Sequence, residues 1–323
     1  MPVDLRAKLC HVELPNPVLT ASGCAASGRE LAQFFDVSKI GAVVTKSVML
    51  EPRAGRPTPR MVETDCGMLN SIGLQGPGID AFLQRDLPWL LSRGARAVVS
   101  IAGGNVAEYA ELAARLSEAP GVTAIEVNIS CPNVEDRGRV FACDPDAAAA
   151  VMAAVRAHAR YDIPVFAKLS PDVTDIVNVA RSCVAAGADG LAMINTMLGM
   201  AIDPDTMRPV LAGITGGLSG PAIRPVAVRC IWQVREALPD TPIIGMGGVR
   251  TGRDALEFIL AGADMVSVGT AIFHDPSACP RILRELEEEL ATRGVGRLRD
   301  VVGLAHEPAG AMSLHRGTYH RKP

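Results

Sequence analysis

No two cysteines in this 323-residue chain are spaced as Cys-x-x-Cys, and the eight present, at positions 10, 24, 66, 131, 143, 183, 230 and 279, form no cluster. That spacing excludes a zinc ribbon or an iron–sulfur centre held by this chain alone. Scattered thiols of this kind read as reduced cysteines in a reducing compartment. No stretch approaches the roughly 18 uninterrupted apolar residues of a membrane span. Neither sign of charge dominates: 32 Lys and Arg against 35 Asp and Glu leave a formal charge of -3, no electrostatic reason to expect nucleic acid as a partner. The start, Met1-Pro2-Val3-Asp4-Leu5-Arg6, carries charge where a secretory segment needs an apolar run. No low-complexity linker or break in composition divides the chain. The expectation is one cytoplasmic domain over residues 1–323, without a metal site.

What is present is alternation. Short apolar runs at 18–20, 42–45, 98–101, 124–128, 165–168, 190–194, 243–246 and 265–268 read as strands. Helical patterns at 29–37, 78–93, 105–118, 145–160, 173–186, 221–238, 252–261 and 276–291 lie between and after them. Pro145 behind Asp144 and Pro276 behind Asp275 suit a first helical turn. Ala185-Ala186-Gly187-Ala188-Asp189 and Leu260-Ala261-Gly262-Ala263-Asp264 repeat one pattern, a helix end, a glycine cap and then a strand. Eight strand–helix units predict an α/β fold, the (β/α)₈ barrel. An open doubly wound sheet uses the same alternation, but it gathers its polar residues at one switch point. Here they follow nearly every strand, as a ring of loops around one mouth requires. Residues 49–79, rich in Pro and Gly, and 199–217 are insertions, of a length that is usually functional or disordered.

The run Glu126-Val127-Asn128-Ile129-Ser130-Cys131-Pro132-Asn133 takes a buried, β-branched strand into amides, a hydroxyl, a thiol and a proline that ends it. Reactive side chains at the carboxyl end of a barrel strand make Cys131 the first candidate for a catalytic acid or base, although most cysteines are small buried hydrophobes. Gly245-Met246-Gly247-Gly248 and Gly269-Thr270 follow the seventh and eighth strands, where backbone N–H groups and helix dipoles commonly hold a phosphate. Single glycine turns are weak signals. With Gly216-Gly217-Leu218-Ser219-Gly220 they point to a phosphorylated cofactor. Lys46 and Lys168 end apolar strands; each either snorkels to the rim or sets a positive charge beside a ring or carboxylate, and a Schiff base at Lys168 stays open. Asn70, Asn128, and Asn195 with Thr196 offer amide donors and acceptors suited to a planar heterocycle, though most loop asparagines merely hold turns.

These motifs resemble those of class 1 dihydroorotate dehydrogenases. The resemblance runs through residues 128–134, Gly67-Met68-Leu69-Asn70-Ser71-Ile72-Gly73-Leu74-Gln75, Thr215-Gly216-Gly217-Leu218-Ser219-Gly220-Pro221-Ala222-Ile223 and the two late glycine turns. It covers about residues 3 to 290. The form of 68–75, with Gly199-Met200-Ala201-Ile202-Asp203, is most similar to class 1B, the NAD-linked catalytic subunit. The resemblance implies a barrel that binds FMN and oxidises dihydroorotate to orotate in pyrimidine biosynthesis. Cys131 would take the C5 proton and flavin N5 the C6 hydride. Lys46 would meet the substrate carboxylate and the flavin. Asn70, Ser71, Ile72, Gly73, Leu74, Asn128, Asn195 and Thr196 would form the substrate pocket. Ser22, Ser47, Ser100, Asn128, Lys168, Ile194, Gly220, Gly247, Gly248, Gly269 and Thr270 would bind FMN, with Lys168 near N1 and O2 of the ring. The class 1B pattern further implies a partner subunit with FAD and a [2Fe–2S] cluster, around a homodimer core of a heterotetramer.

Two departures stand out. Ser100 replaces an asparagine usual in the family beside the flavin, and residues 134–140 are more charged than the family's glycine-rich loop over the substrate. Among rivals, dihydropyrimidine dehydrogenase acts on a substrate without the carboxylate that Lys46 and residues 70–74 suit. A tRNA dihydrouridine synthase needs a basic RNA-binding region, and none is visible. A Schiff-base aldolase would use Lys168 without flavin. A non-catalytic scaffold would make the aligned Cys131, Lys46 and three asparagines a coincidence.

Overall fold

The computed structural model describes residues 3–130 and 141–307. Eight parallel strands form its centre: β1 (Val18–Thr20), β2 (Val43–Val44), β3 (Ala97–Ile101), β4 (Val122–Asn128), β5 (Val165–Leu169), β6 (Gly190–Met193), β7 (Ile243–Met246) and β8 (Met265–Val268). Each pairs with its successor except β1 with β2, and β8 returns to β1. The remaining seam is closed by a parallel bridge between Leu19 and Ala42 and by the Gly41 N–H on the Val18 carbonyl at 2.8 Å. The expected (β/α)₈ barrel is therefore present. Its strands are buried on both faces, which explains their near-continuous Val, Ile and Ala content.

Helices Val106–Glu118, Pro145–His158, Ile176–Ala185, Arg224–Ala237, Gly252–Ala261 and Ala278–Thr292 follow β3 to β8. Asn105, Asp144 and Asp175 cap the first three by accepting backbone N–H groups, and Thr251 with Asp254 forms a reciprocal capping box for the fifth. The stretch 78–93 is interrupted by a π-helical turn, Phe82–Asp86, just before Pro88, which has no N–H to continue the ladder.

Two expectations are corrected. Residues 29–37 form no α-helix. Asp36 accepts the N–H and hydroxyl of Ser38 at 3.0 and 2.7 Å, and this local turn separates two 3₁₀ turns, Leu31–Gln33 and Val37–Lys39. The last long helix begins at Ala278 with Ser277 as its N-cap, so Pro276 lies before the first turn.

The two insertions are ordered. Met61–Thr64, Gly67–Asn70, Thr215–Ser219 and Met197–Met200 assemble into a four-stranded antiparallel sheet beside the barrel mouth. At the opposite end a hairpin, Ala7–Leu9 with Val12–Leu14, lies against the strand starts: His11 donates to the Asp162 carbonyl and Cys10 to that of Asp189. No helix among the described residues is long and apolar enough to cross a membrane.

Candidate active site

A cleft of about 2300 Å³ opens at the carboxyl ends of the strands. Every one of the eight strand–loop junctions contributes to its lining, from Ser22 after β1 to Thr270 after β8. The antiparallel sheet and the turn after it add Asn70 to Leu74, Gly216, Gly217, Ser219 and Gly220.

The polar residues follow from strand alternation. Asn128 ends β4 facing the cleft. Its amide donates to Ser47 Oγ at 3.1 Å, and its carbonyl oxygen accepts from Asn195 Nδ2 at 3.3 Å and the Ser130 N–H at 3.2 Å. Asn195 in turn accepts the Thr196 N–H at 2.8 Å. Ser22, Ser47 and Ser100 form a hydroxyl triangle with separations of 3.0 to 3.4 Å. Ser100 is fully buried and reaches the cleft through Ser22 and Ser47. The Asn70 amide donates to the Gly217 carbonyl at 3.3 Å, tying the two insertions together beside the pocket. Ser71 is held by Arg56 Nη1 at 2.9 Å and by the Arg60 carbonyl, which shapes the 70–74 turn.

Both lysines reach the cleft. Lys46 passes Gly23, where an added Cβ would lie 3.6 Å from the ammonium. Lys168, at the end of β5, is almost fully buried and pairs with Glu126 Oε2 at 3.6 Å. Cys24 shares their space. Burial pushes its thiol up to about 11 against the opposing pull of Lys168 and Lys46, so it stays protonated at neutral pH.

The late glycines make a close-fitting turn. Gly247 and Gly248 have φ of +125° and +90°, and a Cβ on Gly248 would stand 2.7 Å from the Gly220 carbonyl. Thr270 donates to Ser219 Oγ at 2.7 Å, joining the β8 turn to the insertion. Such a backbone cradle, in one cleft with Lys46, Lys168 and the amides, fits a flat anionic cofactor.

The cleft thus gathers Ser22, Lys46, Ser47, Asn70, Ser71, Ile72, Gly73, Leu74, Asn128, Lys168, Ile194, Asn195, Thr196, Gly220, Gly247, Gly248, Gly269 and Thr270. Ser100 stands behind it. Cys131 and residues 134–140 lie outside the described residues. Sequence reasoning missed Ser219, Cys24 and Glu126. Ser219 lies inside the Gly216-Gly217-Leu218-Ser219-Gly220 motif, and Glu126 had a readable placement, a carboxylate two residues before Asn128 in a strand and hence on the same face. Among the described residues no group of three acidic, His or Cys side chains could hold a metal ion.

A model of the dihydroorotate dehydrogenase family matches residues 4–290. The catalytic subunit of dihydroorotate dehydrogenase B (NAD(+)) from Trichlorobacter lovleyi is 54% identical over 299 residues, spanning 93% of this chain and 97% of its own. The catalytic subunits of the same name from Pelobacter propionicus and Geobacter sulfurreducens are 53% and 51% identical, over 94% and 93% of this chain and 99% and 97% of theirs. With fold, cleft and motifs in agreement, the chain belongs to the dihydroorotate dehydrogenase family, on the branch of the B-type catalytic subunits.

Proposed function

We propose that this barrel oxidises dihydroorotate to orotate in pyrimidine biosynthesis, in the cytoplasm, and hands the electrons to a partner that reduces NAD⁺. One observation carries the reading: a single cleft brings together two lysines, three amides and the glycine turns of the family motif. FMN fits the cradle. Gly220, Gly247, Gly248, Gly269 and Thr270 would hold its phosphate end, and Ser22, Ser47, Asn128, Lys168 and Ile194 its ring. FMN bound there would supply a two-electron acceptor for the substrate hydride.

The chain's own residues do the rest. Lys46 neutralises the substrate carboxylate, while Asn70, Asn128 and Asn195 read the alternating carbonyl and N–H groups of the pyrimidine. Ser71 to Leu74 and Thr196 close the pocket around it. Cys131 removes the C5 proton onto Sγ. An ordinary free thiol, with a pKa of about 8.5, is mostly protonated at neutral pH, so the cationic cleft and the bound substrate assist it. The Schiff-base alternative is disfavoured, because Lys168 is engaged in a buried ion pair with Glu126. A partner subunit with FAD and a [2Fe–2S] cluster, around a homodimer core, completes the electron route.

The test is an anaerobic visible spectrum of the FMN-reconstituted chain. Bleaching by dihydroorotate and not by dihydrouracil is expected. Bleaching by dihydrouracil alone moves the substrate to another dihydropyrimidine, and failure to retain flavin overturns the oxidoreductase reading.

A further inference from the structure

Strand β4 sends alternate side chains into the barrel, so Glu126 shares the inward face with Asn128, one layer deeper. Its side chain is 1% exposed. Its charged neighbour is Lys168, 3.6 Å away, and among the described residues neither carboxylate oxygen accepts a hydrogen bond. Such a site is costly: a buried carboxylate is normally saturated by donors, and apolar residues of similar volume often serve stability as well as a buried ion pair does. Another carboxylate of the barrel does accept donors. Asp264 accepts the Ile243 N–H at 2.8 Å and Arg235 at 2.7 Å. Glu126 is left with spare acceptor capacity directly beside a lysine that lines the cleft.

We propose that Glu126 is a positioning and charge-balancing residue for Lys168. It holds the ammonium at the cleft floor and sets how strongly that ammonium favours electrons on the flavin above. This inference rests on the flavin reading. Lys168 is shared between two negative partners, a permanent one in Glu126 and one that grows as the ring is reduced. In a poorly screened interior the permanent partner weakens the pull on the other. Removing the Glu126 charge therefore stabilises the reduced flavin relative to the oxidised form and raises its potential.

The experiment compares FMN-reconstituted wild type, Glu126→Gln, Glu126→Asp, Lys168→Met and the Glu126→Gln/Lys168→Met double variant. The readouts are the two-electron midpoint potential of bound flavin and the Kd for oxidised FMN. Glu126→Gln keeps the shape and loses the charge. We expect it to favour reduced over oxidised flavin by at least about tenfold, a rise of about 30 mV for a two-electron couple. Glu126→Asp withdraws the carboxylate by one methylene and shifts the potential the same way by less; it decides the matter should the glutamine variant not fold. In the Lys168→Met background the shift is smaller, with only the direct repulsion between the carboxylate and the reduced ring left. A flavin-loaded Glu126 variant with the wild-type potential overturns the proposal, as does a shift undiminished without Lys168. Wild type that binds no FMN overturns the flavin reading instead, so the two failures are separable.

Discussion

Asp189 and Asp264 stand just before β6 and β8 at the amino-terminal end of the barrel, while Asn128 and Asn195 stand at the carboxyl ends of β4 and β6. In each aspartate one oxygen, Oδ2, takes two donors. Each accepts the first backbone N–H of a neighbouring strand at 2.8 Å, Val165 or Ile243, and an arginine from the helix before that neighbouring strand, Arg156 at 2.9 Å or Arg235 at 2.7 Å. Each follows a left-handed glycine, Gly187 or Gly262, where a Cβ would collide with the stem of that arginine. The side chain–side chain hydrogen bonds of the asparagines run from 3.1 to 3.3 Å and are shared among several partners. The aspartate bonds tie the start of a strand to a helix. Long, shared bonds mark groups kept ready for something that enters.

Substitutions at the two ends should fail differently. The largest effect falls on the chemistry: Cys131→Ser should lower turnover near neutral pH by about 10²- to 10⁴-fold, with FMN content and Tm unchanged. Undiminished steady-state turnover would remove Cys131 as the base. At the amino-terminal end, Asp264→Ala leaves the Ile243 N–H without its acceptor and takes the carboxylate from Arg235, which keeps the Gly262 and Pro239 carbonyls, and should cost about 1–3 kcal/mol in denaturant unfolding. Its kcat per folded molecule should match wild type, and a selective loss of activity would blur the division between the ends. Gly248→Ala belongs to both classes. Its φ of +90° and the nearby Gly220 carbonyl imply strain of about 1–2 kcal/mol and a weaker grip on FMN, measurable as a Kd raised at least about tenfold.

The smallest effect concerns the core thiols. Burial pushes Cys183 and Cys279 from 9.0 up to about 12. Their folded forms hold the proton where the unfolded chain has lost it, so this stabilisation is complete below pH 9 and lost as pH rises toward 12. Between about pH 8.5 and 9.5 each should cost less than about 1 kcal/mol. Cys183→Ala and Cys279→Ala should flatten the fall in thermal stability over that range, and an equally steep fall in both variants would contradict it.

Much of this was legible in the chain because barrel strands are buried on both faces and so are written in Val, Ile, Ala and Leu. The paired glycine–aspartate repeats were equally plain, although the arginines that staple them sit some 30 residues earlier and carry no local signal. The 29–37 stretch misled because its apolar spacing is helical while Asp36 turns the backbone locally onto Ser38. The antiparallel sheet escaped notice for another reason. Gly216 and Gly217 look like turn residues, yet they lie in a strand, and a Cβ on Gly217 would meet Thr196 Oγ1 at 2.1 Å. Glu126 escaped as well, since nothing in a sequence says which neighbour a buried carboxylate will find.

The added sheet has a consequence for inheritance. Its strands come from two places, 61–70 and 197–219, and they interlock backbone to backbone through Asn70↔Gly217, Leu69↔Leu218 and Met68↔Ser219. A crossover that exchanged only the first stretch with a relative would pair residues that were never selected together, at the very edge that presents Asn70 to the pocket. The two stretches therefore form one transplantable module despite the distance between them in the chain. Recombining catalytic properties within this family should succeed when both travel together.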